Sequence, residues 1–374
     1  MRDVVVVGAG PVGSFVTALL LDAGLDAIAV DARAEEARHS RAIGIHPPSL
    51  VLLDAIGVAA PVLAAGVQIR RGVARTRGAD LGTLRFAEED APPIVALPQH
   101  VTQALLDGAV EIRRSDGIRR GVRVTGLSRT GGALIVRGSD ANGPWEEPTR
   151  LVVGADGADS VVRRLAHARA STRHYRDRYA MGDFADTSGD DAIAVLHLER
   201  GGIVESFPLP GGIRRWVAHV GTDVAGPAAL ASLIAERTGT GPDAATATMF
   251  SAFTPRKTSV ANLAGPGIVL IGDAAHEVSP IGGQGMNLGW ADAAGLAAIL
   301  PSALLPGDDG ASIRAFSRDR LTVARRAARQ AELNMILGRP APGPLQATRS
   351  AFARVASRSP VGDHLSRVFT MAAL

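Results

Sequence analysis

The chain opens on a continuous β-branched run, Val4 to Val7, the pattern of a strand buried on both faces. Gly8-Ala9-Gly10-Pro11-Val12-Gly13 follows directly. Ser14 to Ala23 then reads as a helix with apolar residues on every side, and Ala27 to Val30 as a second buried strand ending on Asp31. The motif of an apolar run feeding a glycine turn returns twice. Leu151 to Val153 runs into Gly154-Ala155-Asp156-Gly157, and Gly267 to Ile271 leads into a glycine-rich turn and a helix from about Gly285 to Leu300. Between these blocks the pattern changes to alternation. Residues 66–86 read as an edge hairpin and 175–255 as further alternating strands, with turns at Gly201-Gly202 and Gly211-Gly212. Beyond Leu300 a loop precedes a long arginine-rich helix over 312–337. A proline-rich break and a final helix from about Leu345 follow, whose apolar residues are expected to dock on the body of the protein.

The opening block is the dinucleotide fingerprint in its required context: strand, G-x-G-x-x-G, helix, strand, acid. Gly8 permits the tight turn, Gly10 lets backbone approach a pyrophosphate, and Gly13 lets the helix pack close to the sheet. Pro11 and Val12 begin the helix, whose free N–H groups face the phosphates. Asp31 would accept from ribose hydroxyls, with Ala32 and Arg33 beside it. The fingerprint fits NAD or FAD, and Arg33 leaves a 2′-phosphate open.

Composition narrows the classes. At 374 residues the chain suggests two domains, or one with a large insert. The absence of cysteine excludes disulfides, thiolate metal sites and cysteine nucleophiles. The net charge of +3 rests almost wholly on arginine, since Lys257 is the only lysine, and the arginines are scattered among acids. That argues against nucleic-acid binding. No apolar stretch reaches the length of a membrane span, and three glycines with Pro11 interrupt the opening run. A cytoplasmic, soluble monomer or homodimer without a metal site is expected.

Taken in order, the N-terminal fingerprint, Asp156-Gly157 and Gly272-Asp273 resemble the motifs of FAD-dependent aromatic hydroxylases of the p-hydroxybenzoate hydroxylase fold (group A flavoprotein monooxygenases). The resemblance implies an α/β protein with a discontinuous Rossmann-like FAD-binding domain, 1–66, 97–170 and 256–300. A mixed β-sheet substrate domain, 67–96 and 171–255, is inserted, and 301–374 forms C-terminal helices. It implies tightly bound FAD, with Arg41 and Gln99 on the phosphates and ribityl chain and Val124 meeting the adenine through its backbone. Asp156 would position flavin and nicotinamide phosphates, or simply form a turn with Gly157. Asp273 would accept from a ribityl hydroxyl. Gly283, Gly285, Met286 and Asn287 would form the turn and helix start against the flavin ring, where a helix N-terminus stabilises negative charge. Pro280 would pack near the flavin's reactive carbon. Ser279 stands where the family usually has a second proline, and His276 is read as a structural hydrogen bond rather than a base.

The implied activity is NAD(P)H-dependent insertion of one oxygen atom of O2 into a phenolic or other aromatic small molecule through a flavin C4a-hydroperoxide, with NADH or NADPH as transient reductant. The alternative is a dehydrogenase or reductase on the same fold, such as a polyprenyl reductase. Pro280, Ser279 and His46 are the candidate catalytic residues. Tyr179, His197, His219, Arg214, Arg215 and Trp216 are further side chains able to orient a phenol. Alternation puts His197 and Glu199 on one face of their strand and Leu196 and Leu198 on the other, without saying which face meets substrate.

Overall fold

The computed structural model describes residues 1–35, 42–305, 307, 310–358 and 361–372. Its first layer is a sheet whose parallel core runs Ile268–Leu270, Gly143–Gly154, Arg2–Val7, Ala27–Asp31 and Ile118–Arg120. The central residues of the two N-terminal strands are apolar because both faces of the sheet are covered, and Val4 to Val6 and Ala27 to Val30 have no solvent exposure. Helix α1, Pro11–Asp22, packs on this sheet, and Arg123–Thr130 and Ala133–Asp140 extend it as an antiparallel meander from the long Gly143–Gly154 strand. Helices α2 (Pro47–Asp54), α3 (Ala59–Ala65), α4 (Gln99–Arg113) and α5 (Val161–Leu165) complete this half.

The second layer is a seven-stranded sheet. Its order is Met249–Phe253, Arg178–Ala185, Ile213–Val220, Val204–Leu209, Ala194–His197, Arg71–Thr76 and Ala79–Arg85. The Gly211-Gly212 hairpin is as expected, both residues holding positive φ of 77° and 69°. Two features differ from the sequence reading. Val67–Ile69 and Ile94–Ala96 do not join this sheet, but pair with each other and with Gly44–Ile45 in a small separate one. And 175–255 is not strand throughout: Pro227–Thr238 is a helix, α6, with Pro at its start and Gly239 in the left-handed conformation at its end. Leu230, Ala231 and Ile234 of α6 cover the face of the sheet that carries Ala180, Phe184, Trp216 and Ala218.

Helix α7, Gly285–Ala303, returns to the first layer, and α8, Ala311–Gly338, lies along it. At 1.5 Å per residue α8 is about 42 Å long, enough to reach from one layer to the other. Its Met335 packs with Ile281 of the second glycine turn and with Met181 and Val217 of the seven-stranded sheet. At its end Arg339 grips Asp177 through two hydrogen bonds of 2.8 Å. The last helices, α9 (Gly343–Ala356) and α10 (Val361–Phe369), dock on the body as expected. Ser366 donates to the Arg85 carbonyl, and Phe369 lies 6.5 Å from Phe86 ring to ring.

Candidate active site

One cavity of about 1380 Å³ runs between the two layers, more than the ~300–1,000 Å³ of a single small-ligand site. One end is the first glycine turn. A β-carbon on Gly10 would find nothing nearer than the Arg33 guanidinium, at 3.9 Å, so the turn presents bare backbone to the cavity. The N-terminus of α1 carries no side-chain cap, leaving its first N–H groups for an anion. Gly8 and Gly13 serve packing instead. A β-carbon on Gly8 would fall 2.5 Å from the Ala155 carbonyl oxygen, and one on Gly13 only 1.8 Å from that of Gly8.

Asp31 ends its strand beside this turn and accepts from the backbone N–H groups of Ala9 and Arg33, each at 2.9 Å. Burial pushes its carboxyl up, but the Arg33 side chain and these two amides outweigh it and hold it below the usual range. Val122 and Val124 complete this end of the wall. A network absent from the sequence reading fixes the turn from behind. Gln103 on α4 donates to the Ala9 carbonyl, to Ser14 Oγ and, at 2.6 Å, to Asp107, which Ser14 and Arg120 also reach. Its only sequence signal was a buried amide on the apolar face of α4.

The second glycine turn lies against the first. Val12 fills the gap left by Gly289, where a β-carbon would be 2.4 Å from the valine Cγ2, and Trp290 Nε1 donates to the Pro11 carbonyl. Gly282 and Gly283 hold φ of 99° and 65°, and Pro280, Gly282, Gly283, Gly285 and Met286 line the cavity. Helix α7 starts here without a side-chain cap. Asp273 faces the same space, and among the described residues its carboxylate accepts no hydrogen bond. Burial and then the charge of Glu277 push it up to about 6.

Beneath the turn, Asp292 is a hub. It accepts from the Gly272 amide, from His276 at 2.6 Å and from Arg320 at 2.7 Å, which fixes His276 in the structural role expected of it. His46 lines the cavity, close to Gly283, and burial lowers its pKa to about 4, so the ring is neutral at physiological pH.

Several expected residues are placed otherwise. Ser279 is buried and does not line the cavity; its Oγ faces the Ile281 amide at 3.4 Å. Asn287 is also off the cavity wall. It bonds to the Gly44 and Gly283 carbonyls and accepts from the His46 amide, so it staples the turn. Gly13 and Gly272 stand behind the wall, whereas Gln99 is on it. Asp156 lies at the wall, but both carboxylate oxygens cap α5, accepting from Ser160 and from the amides of Val161 and Val162. Arg163 of α5 reaches the Ala274 carbonyl at 2.9 Å. Arg41 lies outside the described residues.

The far end of the cavity is the seven-stranded sheet, and its register settles which face meets a ligand. Leu196, Leu198, Glu205, Phe207, Arg215 and Val217 point into the cavity. Arg214 and Trp216 alternate to the opposite face, as does His197, which stacks on Trp216 at 5.8 Å. Arg214 is spent on Asp186, Ser206 and the carbonyls of Asp191 and Ile193. Arg215 makes a bidentate pair with Asp183 at 2.6 and 2.7 Å. Tyr179 and His219 sit side by side on the cavity side of the sheet but are packed away from the opening.

A parallel sheet with a capless glycine turn at its head, a second such turn docked on it and an apolar sheet opposite defines a flavoprotein of the two-layer FAD type. Residues 1–331 match the FAD binding domain family, and the chain belongs to it. The chain is 28% identical over 311 residues to the 12-dehydrotetracycline 5-monooxygenase/anhydrotetracycline 6-monooxygenase of Streptomyces rimosus, covering 79% of this chain and 61% of that protein. It is 29% identical over 315 residues to a rifampicin monooxygenase of Rhodococcus hoagii, covering 78% and 62% respectively. In fold it is similar to p-nitrophenol 4-monooxygenase PnpA from Pseudomonas putida DLL-E4, with a TM-score of 0.89 at 22% identity over 99% of this chain and 97% of that one. The fold is thus that of FAD-dependent aromatic hydroxylases.

The residues fit FAD. Bare backbone at Gly10 suits the pyrophosphate, Asp31 the ribose, the unpartnered Asp273 the ribityl chain, and the Gly282 to Gly285 turn a flat ring that a β-carbon would hold off. Among the described residues no cluster of His, Asp and Glu could hold a metal ion, and no helix is long and apolar enough to cross a membrane.

Proposed function

We propose that this chain is an NAD(P)H-dependent FAD monooxygenase that places one oxygen atom of O2 on a phenolic or related aromatic molecule. The chain spans about three fifths of the length of the curated relatives named above, 61% and 62%, so the activity of this protein is inferred from its own site. One observation carries the reading: the phosphate cradle, the ring-binding turn and an apolar sheet face open into a single cavity.

Bound flavin supplies the redox chemistry, taking electrons from a nicotinamide and passing them to O2. The protein's share is positioning and electrostatics. The uncapped N-terminus of α7 would place N–H donors and a positive dipole end where the reduced ring carries negative charge, worth up to about 2 kcal/mol at a partly buried site. His46, neutral and buried beside Gly283, can hold a hydrogen bond there without adding charge. The apolar side chains of the seven-stranded sheet, with Leu337 of α8, exclude water, which limits loss of activated oxygen as peroxide.

The test is turnover under labelled oxygen gas with a panel of mono- and polycyclic phenols. Product carrying one labelled oxygen is expected, with NADH or NADPH consumed only when substrate is present. Unlabelled product would mean a reductase on this fold. Purified protein without visible flavin absorbance would refute the cofactor assignment.

A further inference from the structure

Glu205 is the one acid of the seven-stranded sheet that faces the cavity without a partner among the described residues. Its cross-strand neighbours are Leu196 on one side and Val217 on the other, and along the chain Ile203, just before the strand, and Phe207 flank it. All four are apolar and all four line the cavity with it. The nearest cation on that face, Arg215, has its guanidinium committed to both oxygens of Asp183. Half-buried on this apolar wall, with no charge or hydrogen bond offsetting its partial desolvation, the Glu205 carboxyl is pushed up to about 7.

An acid in such surroundings costs stability, because neither charge nor hydrogen bonds compensate its desolvation. Side chains of this kind are retained where binding needs them. Its position fits that use. Val217, directly opposite Glu205, belongs to one hydrophobic cluster with Ile281, the residue after Pro280, so this part of the sheet meets the ring-binding turn.

Resting on the proposed monooxygenase reading, we propose that Glu205 selects the substrate: it accepts a hydrogen bond from the hydroxyl of a neutral phenol and excludes aromatic carboxylates. The second half follows from charge. An anionic substrate lying on this sheet face would meet the Glu205 carboxyl beside an arginine, Arg215, that is already paired with Asp183.

The experiment uses FAD-loaded protein and two probes that share a ring system, 2-naphthol and 2-naphthoate. Binding is read by calorimetry and by perturbation of the flavin absorbance, neither of which requires turnover. Wild type is expected to prefer naphthol by at least about tenfold, and E205Q to narrow that preference by about tenfold, chiefly through tighter naphthoate binding. E205Q should also melt at a higher temperature than wild type near neutral pH, a gain that a merely structural glutamate would not give. E205L, which removes the acceptor as well, should lose naphthol affinity. Equal or better naphthoate binding by wild type, an unchanged preference in E205Q, or no naphthol binding would overturn the assignment. Naphthol that binds as expected but gains no oxygen would leave Glu205 in place and overturn the monooxygenase reading instead.

Discussion

In the first glycine turn a β-carbon on Gly13 would lie 1.8 Å from a backbone oxygen, and one on Gly8 2.5 Å from another. In the second, a β-carbon on Gly283 would meet nothing closer than the His46 ring at 3.7 Å, and one on Gly285 nothing closer than Asp273 at 3.6 Å. The same residue type is there for opposite reasons. In the first turn, Gly8 and Gly13 let two pieces of protein touch and Gly10 alone stays bare. In the second, positive φ shapes the chain while the space above it is left open. A glycine required by packing cannot be replaced without moving backbone. One required by a ligand is tolerated by the fold and felt by the ligand.

Substitution separates the two. Gly13→Ala should be the most damaging, since the clash is with backbone that cannot turn aside; a loss of at least about 3 kcal/mol is expected, together with flavin retention. A soluble, fully flavin-loaded G13A protein with wild-type melting would erase the distinction. Gly283→Ala must adopt φ of 65°, which costs about 1 kcal/mol, so the fold should survive with a melting point only a few degrees lower. Its flavin spectrum and FAD affinity should change more than its stability does. Affinity unchanged beside a large stability loss would assign this turn to packing as well.

Acid sensitivity probes the second layer against the first. His197 behind the sheet and His46 at the turn are both held near 4 by burial, against an ordinary 6.5. Between those values the unfolded chain binds protons that the folded one does not, so stability is full above about pH 6.5 and is lost as pH falls toward 4. Glu205 runs the other way: with its carboxyl raised to about 7, its contribution is greatest below about pH 4.5 and is lost as pH rises through 7. Melting curves of H197L should show a smaller drop between about pH 7.5 and pH 5 than wild type. An undiminished drop would remove His197 from this account. The smallest effect is expected from Ser279→Ala. Its hydroxyl is off the cavity and makes only a 3.4 Å contact, so peroxide release per NAD(P)H should stay within about twofold of wild type.

What the sequence disclosed follows from the same contrast. Features carried by local chain geometry were readable: the strand–turn–helix of the fingerprint, Asp31 at a strand end, the Gly211-Gly212 hairpin and the helix starting at Gly285. Features that depend on which elements meet were not. Alternation separated His197 from Leu196 but could not orient the sheet, because only α6 packing on one side decides which face is left for the cavity. Ser279 was placed by position in a motif, and the backbone turn then directed it inward. Gln103 and Asp292 gain their roles from partners far away in sequence. Glu205 had a local signal, a single acid in the apolar stretch Ile203 to Leu209, and it becomes informative only once its neighbours across both strands are known to be apolar.

The shared cavity has a further consequence, in the thermodynamics of assembly. The Gly10 end and the Glu205 end are lined as one space, so whichever molecule enters first becomes part of the container for the second. Under the proposed function their affinities are therefore coupled, and by reciprocity an aromatic ligand would raise the affinity for FAD by the same factor by which FAD raises the affinity for the aromatic ligand. The holoprotein is in that sense a three-component assembly whose middle layer is not polypeptide.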